Sequence, residues 1–272
     1  MRKLLEVKNL SVSFKMVNKD LNYSFQESIK DMSISVEAGK IHAIVGSSGS
    51  GKSLLAHAIL NILPKNAIVK GDMYFKGELL NDSNLKKIRK DEIAFIPQSV
   101  SYLNPLIKTK RYFNYDSEEL KKLVENNYFG LTTKDIEKYT FELSGGMARR
   151  ALVAAAIFRK GSLIIADEPT PGLNNELAME ILKSLHLEAQ NGKGVLIITH
   201  DIDMVLDVAD TMSIFNNGKI LETIDIQDFI AGPSKIKHPY TKGLWSVLPQ
   251  NGFENVNLER VKQECIELNL EY

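Results

Sequence analysis

The stretch "IHAIVGSSGSGKSLLAHAILNIL", residues 41–63, decides how the rest of the chain is read. It opens on apolar residues without polar alternation, the pattern of a strand covered on both faces. It closes on a helical pattern that Pro64 stops. Between them, Gly46, Ser47, Ser48, Gly49, Ser50, Gly51, Lys52 and Ser53 match G-x-x-x-x-G-K-[ST] in full, in the strand–loop–helix context that the motif needs. The three glycines let the backbone curl so that its N–H groups point inward at phosphate oxygens. The helix that continues through Leu54 adds its positive end. Lys52 is placed to reach the β- and γ-phosphates, and Ser53 to set its hydroxyl on Mg²⁺. An ATP-sized ligand is the expectation.

Working outward, three apolar strands end on polar residues. "SLIIADEP" delivers Asp167 and Glu168, "VLIITH" delivers His200, and "EIAFIPQ" delivers Gln98. In an open parallel sheet these carboxyl ends face the ligand crevice. Asp167 can then hold the Mg²⁺ shell and Glu168 can act on an attacking water. Strands alternating with helices after residue 90 imply a parallel core. The first 45 residues read as β-rich, "GDMYFKGELL" as a hairpin turning near Gly77, and "TMSIFNNGKILET" as a hairpin turning at Asn217-Gly218. Residues 99–142 are polar and weakly helical ("SEELKKLVENNYF", "TKDIEKY"). With the helix after them they form a small helical subdomain, about residues 99–160, inserted in the core. A short tail runs from about Gly232 to the last residue, giving a division into 1–231 and 232–272.

A second turn raises a question. Ser144, Gly145 and Gly146, in "ELSGGMARR", again place serine and glycine ahead of an apolar helix. One nucleotide does not need two anion-binding turns so far apart in sequence.

Composition narrows the alternatives. Among 272 residues, 34 Lys and Arg balance 34 Asp and Glu, so no wide basic face for nucleic acid is expected. The lone cysteine, Cys265, allows no disulfide within the chain and argues against a Cys-ligated metal site. The apolar runs are far below the roughly 18–20 residues of a membrane span. A role at a membrane would therefore be performed by docking onto other subunits.

The order GSSGSGKS, Gln98, LSGGM, LIIADE, His200 resembles the nucleotide-binding subunit of an ABC transporter over nearly the whole chain. The resemblance implies an α/β P-loop NTPase fold with an N-terminal antiparallel β subdomain, and an ATPase using Mg²⁺. It also implies that Ser144, Gly145 and Gly146 complete the ATP site of a second subunit, which answers the question above. Lys52, Gln98, Glu168 and His200 become the expected catalytic set, with Gln98 sensing Mg²⁺ and the membrane partner, and His200 contacting the γ-phosphate. Phe14 is either an adenine-stacking ring or a core strand aromatic.

"SYLNPL", "LSGGM" and "KHPYTKGLWSVLP" (residues 237–249) resemble the peptide/nickel branch of ABC importers. That branch implies a second ATPase subunit, typically a paralogue, two transmembrane permease subunits and an extracytoplasmic binding protein. It places the chain on the cytoplasmic face of the membrane, with peptide or nickel chelate as cargo. With Cys265 alone in the tail, no iron–sulfur centre is expected. Two departures stand out: Asn174 replaces an expected Asp in "TPGLN", and the segment between Gln98 and the signature is short. A soluble ABC-type ATPase, or a weakly hydrolysing partner in a heterodimer, are the alternative readings.

Overall fold

The computed structural model describes residues 2–17, 20–47, 49–113, 118, 120, 124, 128–251 and 256–272. Six strands form the core sheet in the order β10-β9-β3-β8-β7-β6: β3 (Ile41–Val45), β6 (Ile93–Ile96), β7 (Leu163–Asp167), β8 (Gly194–Thr199), β9 (Thr211–Asn216) and β10 (Lys219–Asp225). All neighbours are parallel except β9 and β10, the expected Asn217-Gly218 hairpin. Every residue of β3, β7 and β8 is buried.

The alternation along these strands explains their continuous apolar character. Ile41, Ala43, Val45, Ile164, Ala166, Val195 and Ile197 pack on one face, with the helices Gly145–Ile157 and Asn175–Gln190. Ile44, Leu163, Ile165, Leu196 and Ile198 pack on the other. There they meet Leu55, Ala56 and Ile59 of the helix Lys52–Ile59 and the inner face of a second sheet. A strand sandwiched in this way has no polar face to show.

The second sheet is antiparallel, in the order β2-β1-β4-β5, from β1 (Lys3–Val17), β2 (Tyr23–Glu37), β4 (Ala67–Phe75) and β5 (Glu78–Leu79). The Gly77 turn joins β4 to β5 as expected. Gly71 sits at the bulge between β4 and β1, where a Cβ would lie 2.4 Å from Asn9 O, so only glycine fits.

The helical insertion is only partly described. "TKDIEKY" forms the helix Thr133–Glu137, opened by a capping box between Thr132 and Asp135. The expected helix "SEELKKLVENNYF" lies largely outside the described residues. A short helix, Ile202–Leu206, follows β8, N-capped by Asp201.

The tail folds back onto the core. His238 N-caps the helix Pro239–Ser246 and is buried. Its Nδ1 accepts from Tyr240 N (3.2 Å), so the proton sits on Nε2, which donates to Glu271 O (2.9 Å). Burial holds this imidazole below its usual range. Asn217 Nδ2 donates to Tyr272 O (3.0 Å), and Lys219 pairs with Glu271. A further helix, Leu258–Glu267, was not legible beforehand.

Candidate active site

Parallel pairing brings four strand ends to one edge. Val45 lies opposite Thr199, Asp167 opposite Ile198, and Ile96 opposite Ala166. The loop 46–53, with Ser48 outside the described residues, therefore opens beside Asp167, Glu168 and His200.

The loop is closed by steric necessity. A Cβ on Gly46 would stand 2.1 Å from Phe215 O, on the neighbouring strand β9. Gly51 has φ +101°, a left-handed conformation that favours glycine, and it precedes the helix Lys52–Ile59. Lys52 is only 5% exposed, and its Nζ donates to Gly46 O (2.8 Å) and Ser47 O (2.7 Å). Burial lowers its pKa, while Glu168 and Asp167 oppose that shift. The ammonium is thus held inside the loop's curve, where phosphate oxygens can take over its donors.

Ser53 Oγ donates to Asp167 Oδ1 (2.9 Å). Asp167 is 1% exposed, and burial pushes its carboxyl above the usual range, with the Ser53 bond acting against this. One hydroxyl and one carboxylate suit Mg²⁺, which keeps several waters and takes its other ligands from substrate phosphates. Among the described residues no group of three or more His, Cys, Asp or Glu is placed to hold a metal, so a site built from protein ligands alone does not fit.

Glu168 follows at φ +47°, strained for a residue with a Cβ. Its N–H donates to Ile198 O (2.8 Å). His200 Nδ1 lies 2.9 and 3.0 Å from the two carboxylate oxygens, and Thr199 Oγ1 donates to Oε2 at 3.3 Å. An Nδ1–H donated to the carboxylate leaves His200 Nε2 facing outward on a side chain 55% exposed. The carboxylate is aimed, and Nε2 is the ring nitrogen left to face a ligand; it can donate to an anion when both ring nitrogens carry protons.

Gln98 has an exposed side chain just beyond β6. Phe14 is half-buried on β1 and packs against the core beneath the antiparallel sheet. Ser144 N-caps the helix Gly145–Ile157, its Oγ accepting from Met147 N (3.3 Å). Ser144, Gly145 and Gly146 are exposed, and no hydrogen bond among the described residues joins them to the phosphate loop. Asn174 N-caps the helix Asn175–Gln190 through Leu177 N (3.0 Å). On the outer side of the loop, a cleft of about 570 Å³ is lined by Gly49, Ser50, Gly51, Leu54 and Tyr272 among others.

Arg149 escaped the sequence reading. It is 4% exposed, and its guanidinium donates to Pro97 O (2.7 Å), Gln98 O (2.7 Å), Pro169 O (3.2 Å) and Glu168 O. Helical spacing held the clue: Arg149 shares a face with Leu152, Val153 and Ala156, all buried.

Fold and site together define an ATP-hydrolysing enzyme of the phosphate-loop type. Residues 29–171 match the family model described as ABC transporter. The oligopeptide transport ATP-binding protein OppD of Lactococcus lactis subsp. cremoris (strain SK11) is 33% identical over 260 residues, covering 89% of this chain and 74% of that protein. OppD of Bacillus subtilis (strain 168) is 32% identical, with 91% and 72% covered. The dipeptide transport ATP-binding protein DppD of Lactococcus lactis subsp. cremoris (strain MG1363) is 31% identical, with 91% and 74% covered. Among solved structures, a dimeric post-hydrolysis form of the ATP-binding cassette MJ0796 bound to ADP and Pi has a TM-score of 0.70 at 25% identity, covering 82% of this chain and 99% of that one. The chain belongs to the ABC transporter family, and it is an ATPase.

Proposed function

We propose that this chain is the energy-coupling subunit of a peptide importer, and that its ATP is held between its own phosphate loop and the signature turn of a second cassette. The observation that carries the catalytic part is the aimed carboxylate of Glu168, buried at the strand edge and gripped by His200 and Thr199. The names of the oligopeptide and dipeptide relatives support the cargo.

In this reading the N–H groups of residues 46–53 and Lys52 bind the phosphates. Ser53 and Asp167 would hold Mg²⁺, which when bound offsets phosphate charge. Glu168 orients a water and accepts its proton as the water attacks the γ-phosphorus and ADP leaves. His200, with both ring nitrogens protonated, donates from Nε2–H to the γ-phosphate oxygens while Nδ1–H stays on Glu168. Gln98 reports on the bound nucleotide to the membrane subunits. The gain is one of position and electrostatics.

Ser144, Gly145 and Gly146 serve the neighbour's nucleotide, because the start of a helix 13 residues long favours an anion. Residues 1–231 form the ATPase unit, with the insertion at about 99–160, and 232–272 a C-terminal extension. The partners are a paralogous cassette, two permease subunits and an extracytoplasmic binding protein. Among the described residues no helix is long and apolar enough to cross a membrane. In this reading the chain is held at the cytoplasmic face by its permease subunits.

Uptake of a labelled oligopeptide and of labelled nickel, in cells carrying Lys52→Ala in place of the wild type, tests the reading. Loss of peptide uptake alone is expected. Loss of nickel uptake alone would make the cargo a metal chelate. If neither changed while ATPase activity was gone, transport would be the wrong role.

A further inference from the structure

We infer that Arg149 is a positioning residue that fixes Glu168 and Gln98 to the signature helix of the same chain, so that hydrolysis in one site depends on how the helix serving the other site is seated. The inference rests on the reading of Glu168 as the group that acts on water.

A buried guanidinium needs partners for its donors. Here the partners within hydrogen-bond distance are backbone carbonyls, and they come from two segments: Pro97 and Gln98 beyond β6, Glu168 and Pro169 beyond β7. Asp167 and Glu168 add a longer-range field that favours the cation, against a desolvation that disfavours it. An ordinary strut between a helix and a sheet would be apolar. This one is a charged fork whose geometry matches several carbonyls at once, which a lysine cannot reproduce.

The carbonyls it holds are those that aim the site. Glu168 sits in a left-handed conformation, so its direction depends on restraint from outside the residue. Its N–H is fixed by Ile198 O, its carbonyl by Arg149, and its carboxylate by His200 and Thr199. Removing the Arg149 bond frees the peptide group that follows Glu168. The same guanidinium fixes the carbonyl of Gln98.

Arg149 also lies five residues after Ser144, the N-cap of one continuous helix from Gly145 to Ile157. At 1.5 Å per residue that is roughly 7–8 Å along the axis. A tilt or shift of the helix start, when a neighbouring γ-phosphate docks on Ser144 and Gly146, is carried by a rigid rod to the carbonyl of Glu168. The two ATP sites of a pair would communicate through this side chain.

The test compares Arg149→Lys, Arg149→Met and Glu168→Gln in the full chain assembled with its partner subunits. The readouts are kcat, KM, the Kd of a fluorescent ATP analogue, the Hill coefficient and the melting temperature. Arg149→Lys should lower kcat at least about tenfold, a size ordinary for a lost positioning contact, and Arg149→Met should lower it further. KM and Kd should stay within about twofold, and the Hill coefficient should fall towards 1. The Arg149→Lys/Glu168→Gln double variant should turn over no more slowly than Glu168→Gln alone. If Arg149→Met does not fold, Arg149→Lys carries the test. Wild-type kcat in a folded Arg149→Lys, or parallel loss of affinity, kcat and melting temperature, would overturn the inference. Wild-type turnover in Glu168→Gln would instead overturn the reading on which it rests.

Discussion

The phosphate loop and the signature turn use the same materials for different ends. Both set serine and glycine ahead of a helix. A Cβ on Gly46 would meet Phe215 O at 2.1 Å, whereas one on Gly145 or Gly146 would meet nothing within 4 Å. Lys52 is folded into the first loop and held by two of its carbonyls. In the signature turn Met147 N–H donates to Ser144 Oγ and Ala148 N–H to Ser144 O, both bonds of the helix's own first turn. One loop is finished within the chain. The other, in the proposed reading, is half of a shared site, and its glycines are exposed with open space around them. Glycine therefore carries two meanings here, a close internal approach at residue 46 and an open approach at residues 145 and 146.

That contrast can be broken most sharply at Gly46. Gly46→Ala should cost about 3 kcal/mol or more, as overpacking against an immovable backbone does. In a calorimeter this reads as a fall of roughly 6–12 °C in melting temperature. ATP affinity should fall with it. An unchanged melting temperature would mean that the loop is not closed by its contact with β9.

A second difference is electrostatic. The phosphate loop faces a buried carboxylate, and the signature turn contains no titratable side chain. Because burial raises the pKa of Asp167, it takes up its proton at a higher pH than an exposed aspartate. The Mg²⁺-dependent part of ATP affinity should therefore weaken on the acid side before ordinary carboxylates titrate, and recover as pH rises. Titration calorimetry across pH 7 to 5, with and without Mg²⁺, measures this. Asp167→Asn should remove the Mg²⁺-dependent part at every pH, at least about tenfold in affinity. Ser144→Ala should leave the acid limb where it was. A limb that moved with Ser144 would merge the two regions that the structure keeps apart.

The smallest effect is expected at Gly146. Gly146→Ala places a methyl in open space on a helix, so the melting temperature should hold or rise, by about 0.5–1 kcal/mol of stability at most. ATP binding by the isolated chain should be unchanged, while turnover of the assembled pair falls. A melting temperature that dropped as far as that of Gly46→Ala would erase the contrast.

The sequence disclosed those parts whose chemistry is local. The loop 46–53 announces itself by spacing, and β3, β7 and β8 by runs that leave no residue for water. The strand ends Asp167, Glu168 and His200 were legible because an apolar run followed by a charge marks where a strand leaves the core. Arg149 was not, because its partners are main-chain carbonyls 19 to 52 residues distant, and carbonyls carry no sequence signature. The helix Leu258–Glu267 escaped for a different reason. Half of its residues are charged and it buries only Val261 and Cys265, so its apolar stripe is too thin to stand out. The cleft shared by the phosphate loop and Tyr272 joins residues more than two hundred positions apart, a distance only the fold can close.

The clamped tail bears on how the molecule can be watched. His238, Lys219 and Asn217 pin Glu271 and Tyr272 in place, and Tyr272 shares its cleft with Ser50 and Gly51. An environment-sensitive dye carried at position 272 would sit beside the phosphate loop without touching Lys52, and its emission would follow nucleotide loading in real time. The same dye on Ile266, exposed on the outer helix, would serve as the silent reference.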